Sequence, residues 1–313
     1  MTESPLLEVR NLRRSFGALM AVDDVSFTLD RGRIYGFIGP NGAGKTTTMR
    51  ILATLDVPDS GDAVLEGLSV LVEPRRVRDR VGFMSDQFEP YANLDVLQYL
   101  DFFARAYGLR GRARIDAVRS VASFCGLDSF ASRPATGLSK GMGQRLHLAK
   151  TLLHDPSLLI LDEPASGLDP RARIEFRALL RELSATGKTI LISSHILAEL
   201  SETCDGVLVI EQGRLMASGK IGDIARSVRD RHRMRLRVLG DQDLAERFLV
   251  VQPQVHDVRV VEGRVEFEFA GDEDAAAELL RRAVDGGLRV VEFVAQGANL
   301  EEIFMTTTRG RLS

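Results

Sequence analysis

A short apolar run, Ile34 to Ile38, leads directly into Gly39-Pro40-Asn41-Gly42-Ala43-Gly44-Lys45-Thr46-Thr47. This G-x-x-x-x-G-K-[ST] pattern, entered from a strand and opening a helix, constrains the fold more than any other segment. Glycines let backbone N–H groups converge on phosphate oxygens with no Cβ in the way. The helix N-terminus beyond them adds partial positive charge. Lys45 is then the candidate to reach the β and γ phosphates, and the Thr46 hydroxyl the candidate to ligate Mg²⁺. The bland alternative is a Gly-rich turn before an ordinary helix, and the strand–loop–helix setting weighs against it.

The surrounding pattern supports an α/β core. Apolar runs at Ile34 to Ile38, Leu158 to Leu161, Thr189 to Ile192 and Val207 to Ile210 alternate with helical segments through residue 230. Continuous apolar strands between helices read as a sheet covered on both faces. The stretch 93–153 departs from this, with three successive helical segments at roughly 94–108, 112–125 and 139–153. It reads as a helical subdomain inserted into the core.

From 231 to 313 the order changes to β-α-β-β-α-β. Alternation at Met234, Leu236 and Val238 marks the first strand, and Glu262-Gly263 joins the middle two. Strand, helix and strand patterns follow, and Leu300 to Thr306 reads as a last helix. This is the split-βαβ, ferredoxin-like signature of a small α+β domain. The expected division is a domain over 1–230 and an accessory domain over 231–313.

Composition excludes several classes. The chain has 313 residues, 44% of them hydrophobic, enough to bury a sizeable core. A net charge of -3, from 41 basic and 44 acidic residues, argues against blanket attraction to nucleic acid or anionic lipid. Two cysteines, Cys125 and Cys204, exclude a disulfide scaffold and a Cys-rich zinc site. No apolar run reaches the ~18 residues that a bilayer span requires, and residues 1–5 do not resemble a secretory signal.

A second carboxylate site follows a later strand, in Leu158-Leu159-Ile160-Leu161-Asp162-Glu163-Pro164. Four apolar residues deliver two acids to a strand's C-terminal edge, where α/β sheets hold ligands. Asp162 would hold Mg²⁺ through water, and Glu163 would polarise an attacking water. Alone, this would equally fit a solvated acidic turn. Leu138-Ser139-Lys140-Gly141-Met142 opens a helix at which Ser139 and Gly141 would meet an anion, or at which Ser139 is simply an N-cap. Ser166-Gly167-Leu168-Asp169 alone would be a polar turn, and His195 alone a capping residue.

In this order the set resembles the ATP-binding cassette (ABC) ATPases, over residues 6 to about 225. Gly39 to Thr47 matches the family's Walker A segment and Leu158 to Glu163 its Walker B segment. Leu138 to Met142 stands at the signature motif, Ser166 to Asp169 at the D-loop, and His195 at the switch histidine. Phe16 takes the place of the aromatic that stacks on adenine. Two departures are visible: Lys140 and Met142 replace a Gly and the Gln of the signature. The Q-loop glutamine position falls on Asp86, with Gln87 next to it.

Both departures, the segment Val81 to Leu109 and the ending Leu300 to Phe304 are similar to cassettes that pair with separate export-type permeases. The resemblance implies a P-loop NTPase fold, ATP and Mg²⁺ as cofactors, and ATP hydrolysis by Lys45, Glu163 and His195. Thr46, Asp162 and either Asp86 or Gln87 would serve the metal. Partners would be a second ABC ATPase subunit, as a homodimer, and transmembrane permease subunits at the cytoplasmic face of the plasma membrane. Nucleic acid is not an expected partner. A non-transport ABC ATPase acting in translation or DNA repair is the alternative.

Overall fold

The continuous apolar runs become buried parallel strands. The computed structural model describes residues 4–194, 200, 203–220, 232–240, 242–261 and 263–295. It divides into two compact units, Met1–Gly219 and Lys220–Ser313, ahead of the boundary at 230 expected from the sequence.

In the first unit, β1 (Leu7–Phe16) and β2 (Leu19–Leu29) precede β3 (Ile34–Ile38) and α1 (Lys45–Leu52). Next come β4 (Ser60–Leu65), β5 (Leu68–Ser69), α2 (Pro74–Arg78) and β6 (Val81–Met84). Three helices follow: α3 (Val96–Ala106), α4 (Gly111–Phe124) and α5 (Lys140–Leu152). The chain then returns through β7 (Leu158–Leu161), α6 (Pro170–Ala185), β8 (Thr189–Ser193), β9 (Gly206–Glu211) and β10 (Arg214–Lys220).

Six strands form a sheet in the order β10-β9-β3-β8-β7-β6. The pairs β9–β3, β3–β8, β8–β7 and β7–β6 are parallel. Every residue of β3, β7 and β8 is buried, as expected for strands covered on both faces. One consequence matters for the site: β8 lies between the strand that feeds the Gly-rich loop and the strand that ends at Asp162.

A second, antiparallel sheet has the order β2-β1-β4-β5. The sequence reading did not identify it. Register shifts in β1 at Val9/Leu12, Leu12/Arg14 and Arg14/Ser15 break the period-2 alternation by which such strands are recognised. Leu7, Val9, Leu12, Val25 and Leu65 from this sheet share one core with Phe37, Ile160 and Leu208 of the parallel sheet.

The helices of the inserted segment begin and end close to the expected positions. Asp95 caps α3 in a reciprocal box with Gln98: the Gln98 N–H donates to Asp95 at 2.8 Å, and the Asp95 N–H to Gln98 at 3.1 Å. Arg145 of α5 donates to the Cys125 carbonyl at 3.2 Å and to Glu175 of α6 at 2.6 Å, tying α5 to its neighbours. Both cysteines are free thiols, and burial pushes Cys125 up to about 12.

The second unit contains β11 (His232–Val238), α7 (Gln242–Val250), β12 (Val255–Val261), β13 (Arg264–Phe269), α8 (Glu273–Asp285) and β14 (Val290–Ala295). The sheet order is β12-β13-β11-β14 with every pair antiparallel, which is the ferredoxin-like arrangement. Met234, Leu236, Val265, Phe267 and Phe269 point into a core closed by Leu249 of α7 and Leu279 of α8. Charged residues on the intervening positions of the strands pair with each other, as Arg237 does with Glu292 at 3.5 Å. The expected helix over Leu300 to Thr306 lies outside the described residues.

Phe267 is 1% exposed, so Phe267→Ala removes a full aromatic side chain from this core. We expect a loss of about 3–5 kcal/mol confined to the second unit. Hydrogen exchange by mass spectrometry should show faster exchange over residues 232–295 and unchanged protection of β3 and β8.

Candidate nucleotide-binding site

The Gly-rich loop leaves β3 at its C-terminal edge and closes into α1. Two close approaches make glycine obligatory there. A Cβ on Gly39 would stand 2.3 Å from the Ile210 carbonyl oxygen, and one on Gly44 would stand 2.2 Å from that of Ala21. Gly44 also has φ 101°, a backbone conformation that side chains disfavour. The loop is cross-braced by Ala43 N–H to the Pro40 carbonyl at 3.1 Å and Gly213 N–H to the Ala43 carbonyl at 3.0 Å. Beyond it, the first N–H groups of α1 have no partner within the helix, which makes them candidate anion donors.

Lys45 is 7% exposed and folds over the loop, donating from Nζ to the Gly39 carbonyl at 2.7 Å and the Pro40 carbonyl at 3.1 Å. Burial pulls its ammonium below the usual lysine range, while the negative charges of Glu163 and Asp162 oppose that shift. A partly desolvated cation at a ring of backbone N–H groups suits a multiply charged phosphate.

Asp162 is the hub of the site. It is 3% exposed, with one carboxylate oxygen accepting from the Thr46 hydroxyl at 2.7 Å and the other from the Ser193 hydroxyl at 2.6 Å. Ser193 closes the set by accepting the Glu163 backbone N–H at 2.8 Å. Glu163 sits at φ 48°, a left-handed conformation that costs a non-glycine residue about 1 kcal/mol or more. Its backbone is therefore held in a strained turn that the Ser193 bond supports. The sequence reading missed Ser193. Its only signal was its place at the end of an apolar strand neighbouring the two motif-bearing strands.

Phe16, Leu19, Ala21, Asn41 to Thr47, Asp86, Asp162 and Glu163 line one open cleft of about 340 Å³. Phe16 stands 48% exposed on its wall, and the Arg14 guanidinium lies 4.7 Å from the ring centroid. Arg14 is in turn fixed by Asp56 at 2.8 Å and Asp59 at 3.1 Å. Of the two Q-loop candidates, Asp86 lines the cleft. The Gln87 side chain is exposed and is not among the lining residues.

The remaining predicted residues lie elsewhere. Ser139 caps α5, accepting the Met142 N–H at 3.4 Å, and Asp169 caps α6, accepting the Ala172 N–H at 2.9 Å. Ser139, Lys140, Gly141, Gly167 and Asp169 line a separate hollow of about 420 Å³ that shares no lining residue with the phosphate-loop cleft. His195 lies outside the described residues.

Residues 22–166 match the ABC transporter family, and residues 219–308 match the family described as ATP-binding protein DrrA1-3-like, C-terminal domain. The Nod factor export ATP-binding protein I of Ralstonia nicotianae is 35% identical over 97% of this chain and 94% of its own length. The chain belongs to the ABC transporter family. The linearmycin resistance ATP-binding protein LnrL of Bacillus subtilis is 30% identical over 97% of this chain and 98% of its own. The probable multidrug ABC transporter ATP-binding protein YbhF of Escherichia coli is 40% identical over 72% of this chain, which spans 39% of that protein's length.

A solved ATP-binding subunit of an ABC transporter superposes on 71% of the chain and 92% of its own, with a TM-score of 0.65 and 33% identity. The ADP- and Pi-bound dimer of the cassette MJ0796 has the same fold, with a TM-score of 0.62 over 68% of this chain and 98% of its own, at 22% identity.

Lys45→Ala removes the buried cation from the loop. ATP affinity, measured by isothermal titration, should fall at least tenfold, by about 1.4 kcal/mol or more. Unchanged affinity would remove Lys45 from the phosphate site.

Proposed function

We propose that this chain is the ATP-hydrolysing motor of an exporter whose membrane-spanning permease is a separate chain. No helix among the described residues is long and apolar enough to cross a membrane, which fits a motor that acts through another protein. The relatives named for Nod factor export, linearmycin resistance and multidrug transport support an export direction. The working location is then the cytoplasmic face of the plasma membrane, and nucleic acid is not a partner.

The observation that carries the mechanism is the separation of the two hollows. Lys45, Thr46, Asp162 and Glu163 meet at one, and Ser139 and Gly141 meet at the other. A nucleotide bound at the first has one face uncovered. A second copy of the chain, turned head to tail, would cover it with its own Ser139, Gly141 and the N-terminus of α5. Two ATP molecules are then shared by two subunits, and His195 would approach the γ phosphate.

Within each half, the chain's own residues have separable tasks. Phe16, backed by Arg14, offers its ring to adenine. Gly39, Pro40, Asn41, Gly42, Ala43, Gly44 and Thr47 shape the backbone around the phosphates, and Lys45 supplies charge to them. The oxygens of Thr46 and Asp162 are hard donors already 2.7 Å apart, and the Asp86 carboxylate faces the same cleft. They fit Mg²⁺, an ion held by few protein oxygens together with phosphate and water. When bound, it would supply charge neutralisation at the β and γ oxygens. Glu163, held by its strained turn, accepts a proton from the attacking water. Asp169 orients the start of α6 beside the signature.

Hydrolysis removes the γ phosphate that both subunits contact, so the interface weakens and the subunits separate. The segment from Asp86 to Tyr91 and the helical subdomain would pass that change to the permease.

Glu163→Gln should retain ATP binding and form an ATP-dependent dimer, while turnover falls roughly 10²-fold or more. Turnover near wild type would take Glu163 out of the reaction. A tagged pull-down from gently solubilised membranes should recover a stoichiometric polytopic membrane protein. Recovery of ribosomes or soluble partners alone would overturn the motor reading.

A further inference from the structure

Two residues beyond Asp86, the chain sets an aromatic ring into the side of α5. The Phe88 ring lies 5.2 Å from the His147 ring, tilted by 35°, and meets Tyr99 of α3 edge-on at 5.8 Å. The ring also lies beside Gly143 of α5, where a Cβ would stand 3.1 Å from the Phe88 Cδ1. A side chain at 143 would crowd the ring, so the glycine keeps the seat open. His147 is 2% exposed, and burial together with the Lys150 charge pushes it down to about 3, so it meets the ring as a neutral aromatic.

The seat joins two parts of the site. Asp86 lines the phosphate-loop cleft and also a second hollow of about 250 Å³. That hollow is bounded by Phe88, Ser139, Lys140 and Gln144, and so reaches from the Asp86 loop to the N-terminus of α5. Asp86 and Gln87 are themselves exposed. The described local brace of this stretch is the Ser85 hydroxyl donating to the Gln87 carbonyl at 2.8 Å. Phe88 is thus where the loop bearing Asp86 is fastened to the helix capped by Ser139.

We propose that Phe88 is a positioning residue for the ATPase reaction. Seated between Gly143, His147 and Tyr99, it sets Asp86 against the phosphate loop and ties that placement to the orientation of α5, which presents the signature to the partner subunit. A ring in a packed seat holds discrete positions and does not deform gradually, which suits a coupling element. The proposal rests on the reading of Asp86 as a group that serves Mg²⁺. If Phe88 only fills space, stability and turnover will change together, and Asp86 will be irrelevant to its effect.

The test uses the full-length chain and follows Mg²⁺-dependent binding of a fluorescent ATP analogue, turnover, and thermal stability. Phe88→Ala should bind nucleotide without Mg²⁺ within about twofold of wild type, because the ring is outside the phosphate-loop cleft. The Mg²⁺ concentration at half-saturation should rise several-fold and kcat fall roughly ten- to a hundredfold, as for a misplaced group. Phe88→Leu should restore part of both.

Gly143→Ala tests the seat without removing the ring. It should lower kcat while costing less thermal stability than Phe88→Ala, since the helix propensity of alanine offsets part of the crowding. In an Asp86→Ala background, Phe88→Ala should add less than about a twofold further effect. If Asp86→Ala leaves the Mg²⁺ dependence unchanged, the reading of Asp86 itself fails. If Asp86→Ala shifts it but Phe88→Ala does not, or the two effects multiply, Phe88 does not act through Asp86 and the proposal is overturned.

Discussion

The nucleotide site depends on one buried carboxylate. Asp162 is almost wholly removed from water, where a charge is tolerated only when hydrogen-bonded or paired. Thr46 and Ser193 each donate to one of its oxygens, and the Lys45 ammonium is near enough for the Asp162 charge to oppose its downward shift. These bonds link the first turn of α1, the end of β7 and the end of β8. They are possible because the sheet inserts β8 between β3 and β7, so three strand ends converge. Ser193 then also holds the strained Glu163 backbone through its N–H. A shift of β7 relative to β8 would therefore disturb Thr46, Asp162, Glu163 and the Gly-rich loop together.

The second hollow is built on helices. Ser139 and Asp169 begin as ordinary N-caps of α5 and α6, satisfying N–H groups at the helix starts. Arg145 and Glu175 bind the two helices to each other, so the signature and D-loop segments form one surface. That surface shares no lining residue with the chain's own phosphate-loop cleft. Its free-standing position makes sense if the ligand it contacts is carried by another subunit, with the nucleotide acting as the adhesive between them.

How much was legible in the sequence follows from how local each feature is. The Gly39 to Thr47 loop and the Leu158 to Glu163 strand could be read because strand, turn and helix start lie within a dozen residues. The second unit could be read because β11 and β13 alternate cleanly, burying Met234, Leu236, Val265, Phe267 and Phe269. The sheet of β1, β2, β4 and β5 could not, since bulges in β1 shift its register and blur the alternation. Ser193 and Phe88 escaped for a different reason. Their partners, Asp162 and His147, lie far away along the chain, and no pattern around a lone Ser or Phe announces such a contact. The sequence likewise left Asp86 and Gln87 as alternatives, and of the two it is Asp86 that lines the cleft.

The central claim is that each complete site takes its phosphate loop from one chain and its signature from another. Two inactive variants, Lys45→Ala and Ser139→Arg, test it when mixed and assayed for ATP hydrolysis. In a mixed dimer, the intact loop of one subunit meets the intact signature of the other, restoring one of the two sites. The account predicts that the mixture recovers activity, roughly a quarter of wild type if subunits pair at random. Activity no greater than the sum of the two variants alone would contradict it, and would mean that each chain completes its own site.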